Sequence, residues 1–280
     1  MKLLKVLAIS TVVGGASFTV QAAKVLVVLS DASELELKYG QSVSTGFYFN
    51  ELMQPVKMLL DAGHTLTFAT PLGRAPTMDK GSFDTSYFGG SVEALNDHKA
   101  LMDRLKITAV TESPVVSLSR IEQMGYAQFD ALYVPGGRAP LQDLATSKSM
   151  GRLLTSFHER GKPTALVCHG PVALLSTLPD ASGFVEQLEI SKGKTPVPDW
   201  IYAGYKMTVM NNVEEKLAQR RLQGGEMKYM PQTAFEQAGG DYKSALVPFS
   251  SFMVSDRELI TGQNPASTTQ VAEELLKRLH

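Results

Sequence analysis

One cysteine and one tryptophan stand in 280 residues. A single thiol cannot close an internal disulfide, so no disulfide framework holds this fold in any compartment. Charge of one sign is also missing: 27 basic and 28 acidic side chains leave a net charge of −1. No basic run or concentrated patch supports nucleic-acid binding. His64, His98, His158 and His280 are scattered without metal-ligand spacing, so no metal site is expected. Internal repeats and low-complexity tracts are absent. The 44% hydrophobic content is that of a globular chain long enough to bury a sizeable core.

The start of the chain reads as a targeting segment. Lys2 and Lys5 precede an apolar, small-residue stretch from Val6 to Val20, and Val20-Gln21-Ala22 fits a cleavage site. The stretch is too short, and too rich in Gly and Ser, for a comfortable membrane span. A signal peptide over 1–22 is therefore expected, with cleavage near Ala22 and export to the periplasm or beyond. No membrane association is expected after its removal. Loss of Lys2 and Lys5 would take the net charge from −1 to −3. Residues 23–280 contain no linker that would divide two domains.

Lys24 to Ser30 forms a continuous apolar run and predicts a buried strand. A helix from Phe49 to Ala62, stopped by Gly63, and a strand from His64 to Thr70 complete a β-α-β unit, which implies a parallel sheet. Gly73 to Ile107 reads as an insertion with a charged helix from Ser91, of the kind that overhangs active sites. Ala131–Val134 is the next strand, followed by a helix from Leu141 to Arg160. Tyr205 to Met210 predicts a further strand, and Phe184 to Trp200 an irregular insertion. The strand pair Phe252–Val254 and Leu259–Thr261 precedes a final helix, Ser267 to Leu279.

The most informative stretch is Pro163-Thr164-Ala165-Leu166-Val167, which leads directly into Cys168-His169-Gly170-Pro171. Pro171 suits the first turn of a helix. The thiol thus sits on a strand-to-helix elbow, where a helix N-terminus is expected to favour the thiolate, and His169 offers a base. Ligands in open α/β sheets sit beyond the carboxyl ends of the strands, so three further groups should converge there. Glu51, near the start of the first helix, should have a raised pKa and act as an acid-base group. The amides of Gly136 and Gly137, with that of His169, could form an oxyanion hole. A carboxylate in Asn211-Asn212-Val213-Glu214-Glu215 could orient His169. Register favours Glu215, leaving Glu214 to face solvent beside the helix dipole.

These residues carry a resemblance. Thr45-Gly46 with Glu51 and Pro55, Pro135-Gly136-Gly137, Val167 to Pro171, Val213-Glu214-Glu215 and Thr261 to Ser267 together resemble the ThiJ/PfpI superfamily, related in fold to class I glutamine amidotransferases. The last stretch narrows the likeness to the glyoxalase III and heat-shock-chaperone subgroup. The resemblance implies a flavodoxin-like, doubly wound, mostly parallel α/β sheet with helices on both faces and inserted lid segments. It places the nucleophile on Cys168, its partner on His169, the first-helix glutamate on Glu51 and the triad carboxylate on Glu215. Relatives often carry histidine after the glycine pair; Arg138 stands here and bears on the substrate pocket. Relatives often form homodimers.

The leading expectation is a glutathione-independent glyoxalase that converts a 2-oxoaldehyde such as methylglyoxal to a 2-hydroxy acid. No cofactor is required, because the redox change is internal to the substrate. The same Cys-His-Glu arrangement would also serve a cysteine hydrolase, an amidase or peptidase. A third expectation is a stress chaperone or thiol redox sensor whose cysteine oxidises beside Glu51.

Overall fold

The computed structural model describes residues 22–190 and 199–279. The proposed signal segment through residue 21 and residues 191–198 of the proposed insertion lie outside the described residues. Seven strands form the main sheet: β1 Lys24–Val28, β2 Thr65–Thr70, β3 Val116–Ser117, β4 Ala131–Val134, β5 Thr164–Val167, β6 Met253–Asp256 and β7 Leu259–Gly262. Their spatial order is β6-β7-β5-β4-β1-β2-β3. All neighbours pair in parallel except the hairpin of β6 and β7. The core order β2-β1-β4-β5-β7 is flavodoxin-like, so the expected α/β class is the observed one.

Each inner strand is buried on both faces, which is why its sequence is a continuous apolar run rather than an alternation. On one face Val25 and Val27 pack in a cluster with Leu52, Val56, Met102 and Val271, from helices α1 Phe49–Asp61, α2 Val92–Leu105 and α8 Thr268–Lys277. On the other face Leu26 and Val28 share a cluster with Ile121, Leu153, Leu174, Phe184 and Phe235. Those residues come from α3 Leu118–Met124, α4 Lys148–Glu159, the 3-10 run Gly170–Thr177, α5 Ala181–Ile190 and α7 Pro231–Ala238. The strand order reverses between β1 and β4, and the carboxyl ends of β1, β4 and β5 there make the crevice that holds the site.

Three expected elements differ. The helix from Leu141 to Arg160 is α4 alone, preceded by short 3-10 turns at Ala139–Leu141 and Leu144–Thr146. Ser147 caps α4 by accepting from Met150 N, and Asp143 turns back to accept from Asp31 N at 2.8 Å, so helical continuity breaks there. Tyr205 to Met210 does not extend the main sheet: only Lys206–Met207 is strand, paired with Asp241–Tyr242. The edge beyond β7 is already taken by β6, so this segment crosses over the sheet end instead, with Met210 N bonded to Cys168 O at 3.0 Å. Within the stretch read as an irregular insertion, Phe184 to Ile190 belongs to α5. Among the described residues no helix is long and apolar enough to cross a membrane.

Candidate active site

Cys168 comes directly after β5 and takes φ +59°, a left-handed conformation that a non-glycine residue adopts only when its surroundings enforce it. Here two backbone bonds fix it: its N–H donates to Gly262 O at 2.9 Å, and its carbonyl accepts from Met210 N. The strain aims Sγ away from the strand and toward His169, whose Nδ1 lies 3.3 Å away. Gly170 has no room for a side chain, since a Cβ would stand 2.5 Å from Val134 O. That tight approach presses the elbow against the end of β4.

His169 Nε2 bonds Glu215 Oε1. Glu215 lies on the short helix α6 Asn212–Leu217, which starts just after the segment clamped to Cys168 O. Its other oxygen accepts from Arg138 Nη2 at 3.0 Å, and both side chains are buried. Burial opposes the charge on Glu215, but its interaction with His169, then with Arg138, outweighs that penalty and holds the carboxyl down at about 2. An ionised carboxylate only accepts, so Nε2 carries the ring proton. Nδ1 is left as the lone pair facing the thiol.

Glu51 enters from the first turn of α1, fully buried. Its Oε2 accepts from Gly136 N at 2.8 Å, while Oε1 is buried without a conventional hydrogen-bond partner. Burial pushes its carboxyl up to about 8, against the lowering pull of its contacts with Cys168 and the Gly136 and Gly137 amides. A buried carboxyl with donors at only one oxygen is most stable as the neutral acid. Burial also pushes the Cys168 thiol up, reinforced by the charges of Glu51 and Glu215. Near neutral pH the pair therefore keeps both protons, because burial and the neighbouring carboxylate oppose an anion at either group.

Four expectations change. The elbow alone does not favour the thiolate: Cys168 leads into a 3-10 run rather than an α-helix, and desolvation with neighbouring carboxylates outweighs any help from that run's N-terminus. The Gly136 amide is not free for a substrate oxygen, since Glu51 already occupies it. Arg138 does more than line the pocket: it braces Glu215. Glu214 does not face solvent. The capping box with Asn211 folds it inward, and its Oε1 accepts from Phe249 N at 2.7 Å, Gln263 Nε2 at 2.8 Å and Asn264 Nδ2 at 2.9 Å. The Asn-x-x-Glu spacing is a capping-box signature that could have indicated this orientation.

A cavity of about 280 Å³ opens over the thiol, lined by Cys168, His169, Arg138, Tyr48, Tyr87, Met210, Arg221 and Phe249, among others. Tyr87 comes from the Gly73–Ile107 insertion, which therefore does reach the site. Tyr48 and Arg221 carried no sequence signal: the first sits in an apolar run, and Arg220-Arg221 reads as an ordinary solvated pair. Among the described residues no group of His, Cys, Asp and Glu side chains is arranged to hold a metal ion.

Residues 43–218 match the family model described as ThiJ/PfpI family-like. A probable glutathione-independent glyoxalase of Schizosaccharomyces pombe, hsp3103, is 28% identical over 257 residues, covering 86% of this chain and 93% of that protein. A second S. pombe relative, the glutathione-independent glyoxalase hsp3101, is 26% identical over 85% of this chain and 89% of its own length. The crystal structure of glyoxalase III from Candida albicans superposes with a TM-score of 0.67 at 20% identity, covering 92% of this chain and 98% of that one. At that identity the superposition speaks for the fold.

Proposed function

The chain belongs to the ThiJ/PfpI family, and on that premise we propose that it is a glutathione-independent glyoxalase acting on a 2-oxoaldehyde through Cys168. The observation that carries this reading is the thiol set 3.3 Å from His169 Nδ1, with Glu215 behind the ring and a neutral Glu51 beside the sulfur. Relatives that span most of the chain are glutathione-independent glyoxalases, which supports it.

His169 Nδ1 takes the thiol proton, and the sulfur adds to the aldehyde carbon. The aldehyde oxygen gains a proton from the Glu51 carboxyl, giving a hemithioacetal. Arg138, which lines the cavity beside Cys168 and His169, supplies positive charge on the side where the oxyanion develops. The base formed at Glu51 then removes the hydrogen on the former aldehyde carbon while the His169 cation protonates the ketone oxygen, producing an enediol. Glu51 returns its proton at the neighbouring carbon as the hydroxyl proton on the sulfur-bearing carbon passes back to His169. The product of that transfer is a thioester of the 2-hydroxy acid. Water adds to the thioester carbonyl and loses a proton to Glu51, and the C–S bond breaks as His169 returns its proton to the sulfur, releasing the acid and restoring the thiol. The carbon oxidised and the carbon reduced are adjacent in one molecule, so no external oxidant or cofactor enters the balance. Glu215 holds the imidazole in the working tautomer and supports its cation.

The test is lactate formation from methylglyoxal without glutathione, run in D2O. Solvent deuterium on carbon 2 of the product marks an enediol whose proton exchanges at Glu51 before it is returned. Release of product from acyl or aminopeptidase substrates, with no lactate, would make the protein a hydrolase.

A further inference from the structure

We propose that the cavity over Cys168 takes a carbonyl substrate that also carries a carboxylate, and that Arg221 recognises that carboxylate. The carbonyl half of this proposal rests on the glyoxalase reading; the anion half stands on the cavity itself.

The lining contains three arginines, Arg138, Arg220 and Arg221, and no aspartate or glutamate. Glu51 and Glu215 lie behind the wall, and Glu215 already answers Arg138. Arg221 is held differently. Its Nη1 bonds the hydroxyl of Tyr48, and its guanidinium sits 5.7 Å from the centre of the Tyr48 ring. Tyr87, packed edge-on to Tyr48 at 6.0 Å, supplies a second phenol contact. Asp79 and Asp84 feel its charge at longer range, yet among the described residues no carboxylate pairs with it within 4.0 Å.

A guanidinium oriented by neutral phenols is rigid, but its charge stays unmatched. That combination suits a fork-like grip on an incoming carboxylate. A second observation points the same way: Arg138 is 7% exposed, and its Nε is buried with no hydrogen-bond partner. The remaining wall is apolar, with Met210, Leu217 and Phe249, and suits a short hydrocarbon spacer between the two polar ends. Methylglyoxal has an aldehyde for the thiol but no carboxylate for Arg221.

Iodoacetate and iodoacetamide test the charge independently of turnover. They are close in size, differ by one negative charge, and the chain offers them a single thiol. The ratio of their rates at Cys168 should exceed the ratio for a small free thiol in the same buffer by about tenfold, the scale of one hydrogen bond between charged groups. Arg221→Gln should bring the ratio down to that of the free thiol, and Arg221→Lys should retain part of it. Equal ratios in wild type and free thiol, or no change in Arg221→Gln, would overturn the proposal. Failure of both reagents to label Cys168 would also overturn it, because a cavity that substrate enters must admit them. In turnover, 4,5-dioxopentanoate should surpass its neutral methyl ester in kcat/KM, and Arg221→Gln should erase that preference through KM. If neither compound is converted, the glyoxalase reading fails, and the alkylation ratio alone decides whether the cavity recognises anions.

Discussion

Gly136 donates its backbone N–H to Glu51 Oε2 at 2.8 Å, and the approach is so close that a side chain at 136 has no place to go. A Cβ there would stand 2.6 Å from that oxygen, 2.7 Å from Val167 O and 2.8 Å from Cys168 Cβ. The glycine therefore sets the distance between the acid and the nucleophile. Gly136→Ala should displace Glu51 or the elbow, because two of the three obstacles cannot rotate away. A loss of at least about a hundredfold in kcat is expected, the size seen when reacting groups move by about 1 Å. Steady-state kinetics, with circular dichroism to confirm the fold, check it.

Cys168→Ser should abolish turnover while leaving the thermal midpoint within a few degrees of wild type. The change is nearly isosteric, and the left-handed backbone is fixed by Gly262 and Met210 rather than by the sulfur. Donors and binding alone can retain a small residual rate. Full activity in this variant would remove every covalent route.

Glu51→Gln separates the proton from the carboxyl. In the folded protein Glu51 keeps its proton up to about 8, whereas in the unfolded chain it loses it near the ordinary value of 4.5. The folded state thus binds the extra proton between those values. The associated stability is fully present below 4.5 and is lost as pH rises through 8. At about 1.4 kcal/mol for each pH unit of separation, this amounts to several kcal/mol. Urea unfolding from pH 5 to pH 8.5 should show wild type losing stability relative to Glu51→Gln. A pH-independent difference between the two would show that Glu51 is ionised in the fold throughout.

Glu215 and Glu214 should fail in different ways. Glu215→Gln removes the carboxylate that fixes the His169 tautomer, and kcat should fall by orders of magnitude. Folded Glu215 stays ionised until pH falls to about 2, and the stability this lends is fully present above 4.5 and is lost progressively as pH falls from there through about 2. Glu214→Gln leaves His169 its partner but disturbs a buried acceptor of three donors. A loss of stability on the order of 2 kcal/mol is expected there, measured by urea unfolding. If Glu214→Gln is both stable and active, the network around it is dispensable.

What was legible in the chain was what short-range pattern decides. Ala131–Val134 and Ala165–Val167 are short apolar runs bounded by polar or turn residues, and both are buried strands of the main sheet. Ser91 before α2 is a cap whose oxygen meets Ala94 N, a purely local event. The site nucleophile was legible for the same reason, since strand, Cys168, Gly170 and Pro171 are contiguous. What escaped depends on partners far away. Tyr205 to Met210 looks like a strand, but β6, far downstream in the chain, holds the edge it would need. The Gly136 amide looks available until Glu51 arrives from 85 positions earlier. Glu214 looks solvent-facing until Gln263 and Asn264 fold over it.

That last arrangement makes α6 a lever. Adjacent residues on a helix diverge by about 100°, so one glutamate reaches Gln263, Asn264 and Phe249 while the next reaches His169 and Arg138. Six residues of helix are too short to absorb a twist between the two grips. A disturbance at the far grip, at the tip of β7, is therefore expected to turn the near one and to show as a loss of kcat in Gln263 or Asn264 variants. Gln263 and Asn264 do not line the cavity over the thiol, yet through Glu214 they hold the helix that carries its base's partner.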